Sequence, residues 1–195
     1  MGSRRLGRKR LFSLDKKGQT VDLEAGAGIK DAIVEATQRR EGHQIITEIV
    51  LDLGTSKATI VDSGNGGEGA QAPIGVHNTV SHITQLTEAK FGVITEIRAV
   101  LLEALAGGLA DLDLEYADDA VGKPDTAGAG TRGTNPVSIL TALSAVGEDT
   151  SAALDANATS DKFLYLVQGA NSTGAAYTGG KVIIYIYGWV TPASI

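Results

Sequence analysis

The chain has no cysteine. That closes every reading based on disulfides, thiolate–metal ligation or a cysteine nucleophile, and it gives no hint of a disulfide-stapled secreted scaffold. Long apolar runs are also missing. The longest, residues 99–110 and 182–190, fall short of the roughly 18 residues a membrane-spanning helix needs, and Glu103 interrupts the first. No membrane contact is expected. The basic start could imitate the front of a signal peptide, but only LFSL follows before Asp15, so no export signal is read. The three histidines, His43, His77 and His82, are scattered without metal-like spacing. The sequence contains neither a G-x-x-x-x-G-K-[ST] phosphate loop nor a G-x-S-x-G nucleophile elbow. No catalytic residue, cofactor site or metal site is assigned, and no enzyme activity is expected.

Glycine, by contrast, is abundant: 25 of 195 residues, about twice its ordinary share. Such a chain has many turns and is poorly suited to a helical bundle. Hydrophobic residues at 43% are enough for a folded body.

Charge is unevenly placed. The net charge is −6, yet the first seventeen residues hold seven cations against Asp15 alone, so this segment is +6 and the rest −12. The chain divides into an arm over residues 1–20 and a body over 21–195.

Within the body the apolar period is mostly two, the signature of strands. In KVIIYIYGWV, Val182, Ile184 and Ile186 alternate with Ile183, Tyr185, Tyr187 and Trp189. β-branched and aromatic residues on both faces describe a strand covered on both sides. DKFLYLVQG (161–169) is a second strand, and the turn formers between the two predict that they pair as a long-looped hairpin. Further strands are read over 29–40, 43–54, 91 to about 100, and 109–119. PVSILTALSAVG (136–147) reads as a helix, with Pro136 in its first turn and Gly147 at its stop. Residues 61–73 and 117–136 read as surface loops. The fold expected is all-β: an antiparallel β-sandwich of jelly-roll type, with an extended N-terminal arm and at most one short helix.

Few motifs carry chemistry. GNGGEG (64–69) matches G-x-G-x-x-G, but AQAPIGV follows instead of the helix a dinucleotide site needs; it reads as a flexible loop. Asp111, Asp113 and Glu115 share one face of a strand, with Asp118 and Asp119 beyond. Their spacing of about 6.5–7 Å is too wide to hold one ion unaided, so they read as a solvated outer face, with an interface to a neighbour's cations as the other option. A hydrolase using these carboxylates as an acid/base pair is a remote rival. Two glycosylation sequons, at Asn157 and Asn171, read as chance matches. Tyr165, Tyr185, Tyr187 and Trp189 have few cations near them and read as core or interface, not as a stacking platform for single-stranded nucleic acid.

The arm remains. Arg4, Arg5, Arg8, Lys9, Arg10, Lys16 and Lys17 are interspersed with Leu6, Leu11, Phe12 and Leu14. A phosphate-binding tail needs the charge but not the apolar anchors, so the arm reads first as a docking segment for protein. Its partner residues are Arg4, Arg5, Leu6, Arg8, Lys9, Arg10, Leu11, Phe12, Lys16 and Lys17. Fully extended, the segment spans on the order of 60 Å.

The C-terminal third, ADLDLEYADDAVG and then DKFLYLVQGANSTGAAYTGGKVIIYIYGW, resembles the end of small virion structural proteins of tailed bacteriophages. The likeness is particularly to capsid decoration (cement) proteins and related head proteins of marine and cyanobacterial phages. In these a K-[FY]-L-Y-L strand, here Lys162 to Leu166, precedes a Gly/Thr/Ala loop, a Y-T-x-G-K turn and a last strand ending in an aromatic. The basic opening is similar too. The resemblance implies a non-enzymatic β-sandwich that assembles with copies of itself, by analogy as a trimer, and with a major capsid protein or other virion proteins. It implies a place on the capsid surface after assembly in the host cytoplasm. Head–tail and tail structural modules share this kind of sandwich, and a nucleic-acid-associated protein using the basic arm is the alternative from a different class.

Overall fold

The computed structural model describes residues 18–62, 72–125, 130–154, 160–169 and 175–190. These form ten strands: β1 (Gln19–Thr20), β2 (Ile33–Glu41), β3 (Gln44–Asp52), β4 (His82–Leu86), β5 (Val93–Ala106), β6 (Leu112–Ala117), β7 (Val137–Leu143), β8 (Asp149–Ala153), β9 (Lys162–Gln168) and β10 (Gly179–Trp189). The described helical structure is one four-residue helix, α1 (Glu88–Phe91), and a 3-10 turn at Lys30–Ala32. The arm before residue 18, the GNGGEG motif and both sequons lie outside the described residues.

The strands form two antiparallel sheets. Sheet I has the order β1-β2-β3-β10-β5-β8, and sheet II the order β4-β9-β6-β7. The pairing is nested: β6 pairs with β7, β5 with β8, β4 with β9 and β3 with β10. The chain therefore runs out through four strands and back through four, each returning strand lying beside its mirror image. Except at β6–β7, each step along this stretch changes sheet. β10 is the centre of sheet I, in register with β3 from Lys181 opposite Asp52 to Trp189 opposite Gln44.

One core joins the sheets. Ile49, Leu51, Ile97, Leu101, Val182, Ile184 and Ile186 of sheet I meet Ile83, Leu86, Leu112, Leu114, Leu140, Leu143, Leu164 and Leu166 of sheet II. Fully burying each such side chain contributes about 1.5–3 kcal/mol; alternation delivers most of them to the same side, with ladder shifts at β4 and β7 bringing in the rest. On β9 the odd-numbered set turns the other way: Tyr165 and Val167 form a second small cluster with Ala117, against which Phe163 packs.

Several expectations are corrected. β9 and β10 are not a hairpin, because β9 lies between β4 and β6 while β10 lies between β3 and β5. Residues 136–147 are not a helix but contain strand β7. Leu140 and Leu143 both face the core three residues apart because the ladder shifts there: Leu143 opposes Leu112 while Leu140 opposes Leu114. A bulge thus places apolar residues at a helical interval, with Ala142 at φ 63° turning the chain. The same cause lengthens β5 to Ala106. Its ladder slips between Leu101 and Glu103, and VLLEAL looks helical for that reason. Finally, β10 is not equally covered on its two sides. Its outward side grades from Ile183, 6% exposed, to Trp189, 48% exposed.

Candidate functional site

The two outer faces of the molecule differ. On sheet II the carboxylates of β6 are not solvated as expected: Asp113 and Glu115 are buried. Described residues of the β6–β7 connection, 118–125 and 130–136, lie over this face near Glu115 and Tyr165. Arg132 of this connection reaches under to Glu115, Nη2 to Oε2 at 2.6 Å, while Asp113 accepts a hydrogen bond from the Ala142 amide at 2.8 Å. Asp118 is held by Lys162 and by Asn135 Nδ2 at 2.7 Å, and Asp119 accepts from the Thr134 amide at 3.0 Å. Tyr165, fully buried, anchors the roof from below. Its hydroxyl donates to the Asp119 carbonyl at 2.8 Å and accepts from the Gly122 amide at 3.2 Å. A Cβ on Gly122 would sit 2.7 Å from the Tyr165 ring, so only glycine lets the loop lie this close.

The electrostatics follow from this placement. Burial pushes the Glu115 carboxyl up, and Arg132 only partly offsets it. Lys162 draws Asp118 down, Thr134 draws Asp119 down, and burial pushes the Tyr165 hydroxyl up to about 12. These groups pin a loop. Among the described residues no trio of His, Cys, Asp or Glu is arranged to hold a metal ion, and the carboxylates point beneath a roof rather than into a cleft.

A pH experiment tests the assignment. A carboxyl whose folded pKa lies above its ordinary 4.5 binds more protons folded than unfolded. Its contribution is fully present below that value and is lost as pH rises through the folded pKa. Denaturation of the protein and of Glu115→Gln, compared from pH 4 upward, should show a stability decline in the parent that the variant lacks. Parallel pH profiles for the two proteins would contradict a buried Glu115.

Sheet I is different: its inner face carries the shared core, and its outer face is half-buried at Val50, Val100, Tyr185 and Tyr187 and buried at Ile46 and Ile183. Down its middle run Ile46 and Val50 of β3, Ile183, Tyr185 and Tyr187 of β10, and Val100 of β5, neighbours by register. The two tyrosine rings stack 6.2 Å apart, and Arg98 lies over Tyr185 at 5.7 Å. Around this stripe the cations are already engaged within the face. Arg98 grips Asp149 with two hydrogen bonds, which lowers the Asp149 carboxyl. Arg39 meets Glu41 and Glu48 at 3.1 and 3.7 Å, and Lys181 meets Glu103 and Asp52 at 2.6 and 3.7 Å. Glu35 and Glu96 add two further carboxylates by alternation on β2 and β5. The face is therefore acidic overall, with an apolar and aromatic centre.

Other groups add little chemistry. The Nε2 of His82 lies 3.1 Å from the Glu24 carbonyl oxygen, and the ring sits edge-on to Phe163; burial lowers its pKa. His43 and His77 are exposed. A cleft of about 330 Å³ opens beside β1 and is lined by Gln38, Arg39, Arg40 and Lys90, among others. Lys90 is tied to Glu24 at 2.8 Å. This cleft marks where the arm joins the body. The ten arm residues assigned from the sequence, Arg4 to Lys17, lie outside the described residues. The open face of sheet I was not foreseen; the double alternation of β10 was its signal, read as coverage on both sides. Comparison with family models, with curated proteins and with solved structures finds no match to this chain.

Proposed function

We propose that the protein is a non-enzymatic structural component of a tailed-phage virion, of the capsid decoration or cement type. It binds the major capsid protein on the outside of the head and braces adjacent subunits. The observation that carries this reading is the nested strand order of two antiparallel sheets, β3-β10-β5-β8 and β4-β9-β6-β7; it supports reading the body as a jelly roll, an architecture common in viral capsid domains. Fold alone does not assign function. The site argument is that the described surface offers a broad sheet face with an acidic rim, whereas the buried carboxylates are already engaged, Glu115 by Arg132 of the β6–β7 loop and Asp113 by the Ala142 amide of β7. The resemblance of residues 110–189 to phage head proteins adds to this.

In mechanism the protein is passive. Each contact buries surface, an interface of about 800 Å² per partner suffices for stable association, and many copies on one shell multiply the gain. The N-terminal arm spans from one subunit to the next, its leucines and Phe12 seated on apolar surface and its cations on acidic surface. Removing residues 1–17 should leave a folded body whose co-sedimentation with cognate heads falls to background. Full occupancy by the truncated chain would remove the arm from the mechanism.

The arm's charge favours one second reading, a nucleic-acid-associated protein. Salt titration separates the two. Neutralising about six phosphates makes affinity fall steeply between 50 and 200 mM salt, whereas an arm with apolar anchors holds its partner. Tight duplex binding at physiological salt, with no attachment to heads, would favour the second reading.

A further inference from the structure

We propose that the acceptor for the basic arm is the open face of sheet I on a second copy of this chain, so that neighbouring copies are linked by exchanged arms. This rests on the reading of the arm as a protein-docking segment and names its partner surface.

Three observations carry it. The first is charge. Arg39, Arg98 and Lys181 are the cations of the face, and each is matched within it by carboxylates. Glu35 and Glu96 are in excess, and the paired acids outnumber their cations. The arm, at +6, is the one segment of the chain with a strong opposite charge. The second is pattern. In the arm, cations are interspersed with Leu6, Leu11, Phe12 and Leu14; on the face, carboxylates flank the half-buried Tyr185 and Tyr187 and the buried Ile46 and Ile183. The third is position and reach. β1 runs antiparallel to β2, with Gln19 opposite Gln38 and Thr20 opposite Thr37. The arm is therefore rooted at the edge strand of sheet I. Seventeen extended residues span on the order of 60 Å, enough to cross a neighbour. The four long strands of the face, β2, β3, β10 and β5, each of nine residues or more, offer on the order of 600 Å², most of the ~800 Å² of a stable interface.

The absence of cysteine makes a crosslinking test clean. Full-length Leu11→Cys is mixed with full-length Val100→Cys under mild oxidation, and separately with Val137→Cys, whose thiol lies on β7 of the other sheet. Circular dichroism confirms each fold, and Ser151→Cys on β8 replaces Val100→Cys if packing suffers. The mixed dimer with the sheet I thiol is expected at about tenfold the yield of the β7 control, the ratio that ~1.4 kcal/mol of preference gives. Replacing Arg8, Lys9 and Arg10 by Glu should remove that excess. Equal yields with both partners would overturn the proposal. So would a Leu11→Cys/Val100→Cys double variant that closes within one chain, which would place the arm on its own body. Crosslinking that needs added duplex DNA or added heads would overturn it as well. Because the expected reaction uses no heads, a failure to attach to capsids leaves this result untouched, and the two readings fail separately.

Discussion

Gly188→Ala should be among the most damaging single substitutions in the chain. A methyl group there would lie 1.8 Å from the Phe91 carbonyl oxygen, a contact no side-chain adjustment can relieve because the obstacle is backbone. Gly188 sits where the β10–β5 ladder slips, opposite Ile94, so relief would have to displace α1 or pull β10 from the centre of sheet I. The expected loss is about 3 kcal/mol or more, at the upper end for overpacking, read as a fall in denaturation midpoint or as insoluble expression. Gly179→Ala is the control on the same strand. Its nearest neighbour would be Ala106 Cβ at 3.6 Å, and it should change stability by no more than about 0.5 kcal/mol. Equal behaviour of the two variants would mean that β10 and α1 are not in contact as described.

The second large effect lies under the roof of sheet II. Arg132→Met removes the cation facing a fully buried Glu115. Leaving one half of a buried pair costs about 3–5 kcal/mol; the cost here should sit at the low end, because Glu115 can take up a proton, its pKa being already raised by burial. The penalty should therefore shrink as pH falls. The double variant Glu115→Gln/Arg132→Met should recover most of the loss, since an uncharged pair has less to desolvate. Urea denaturation of the two variants at neutral and acidic pH checks the prediction. A double variant no better than Arg132→Met alone would show that the two residues do not act as a pair.

These sites also show how far the sequence could be read. The all-β character was legible because β-branched residues alternate so regularly in 43–54, 161–169 and 181–190. Pairing was less legible. Alternation says that β9 and β10 are strands but not that the turn-rich segment between them carries the chain from one sheet to the other. Bulges caused one error of type and one of extent: Leu140 and Leu143 stand at an interval a helix would use, and the Leu101–Glu103 slip lies beyond residue 100, where the strand was read to end. The burial of Asp113 and Glu115 was hidden for another reason. Alternating acids mark one face of a strand, but whether that face meets water depends on a loop from elsewhere in the chain. Arg132, the lone arginine in the Gly-rich stretch 117–136, was the available signal. The arm was conspicuous in sequence by its charge; the acceptor proposed for it was not, because the acids of sheet I are spread over four strands, β2, β3, β5 and β8, and converge only through the register.

The central claim is that this molecule acts by binding other virion proteins and performs no chemistry. Its most direct test is a particle reconstruction of cognate heads saturated with the full-length chain. The account predicts a two-sheet body at fixed, symmetry-related positions on the outer shell, with density for the basic segment leading from each body to the next. A chain found only on packaged DNA, or heads that bind none of it at saturation, would contradict the account.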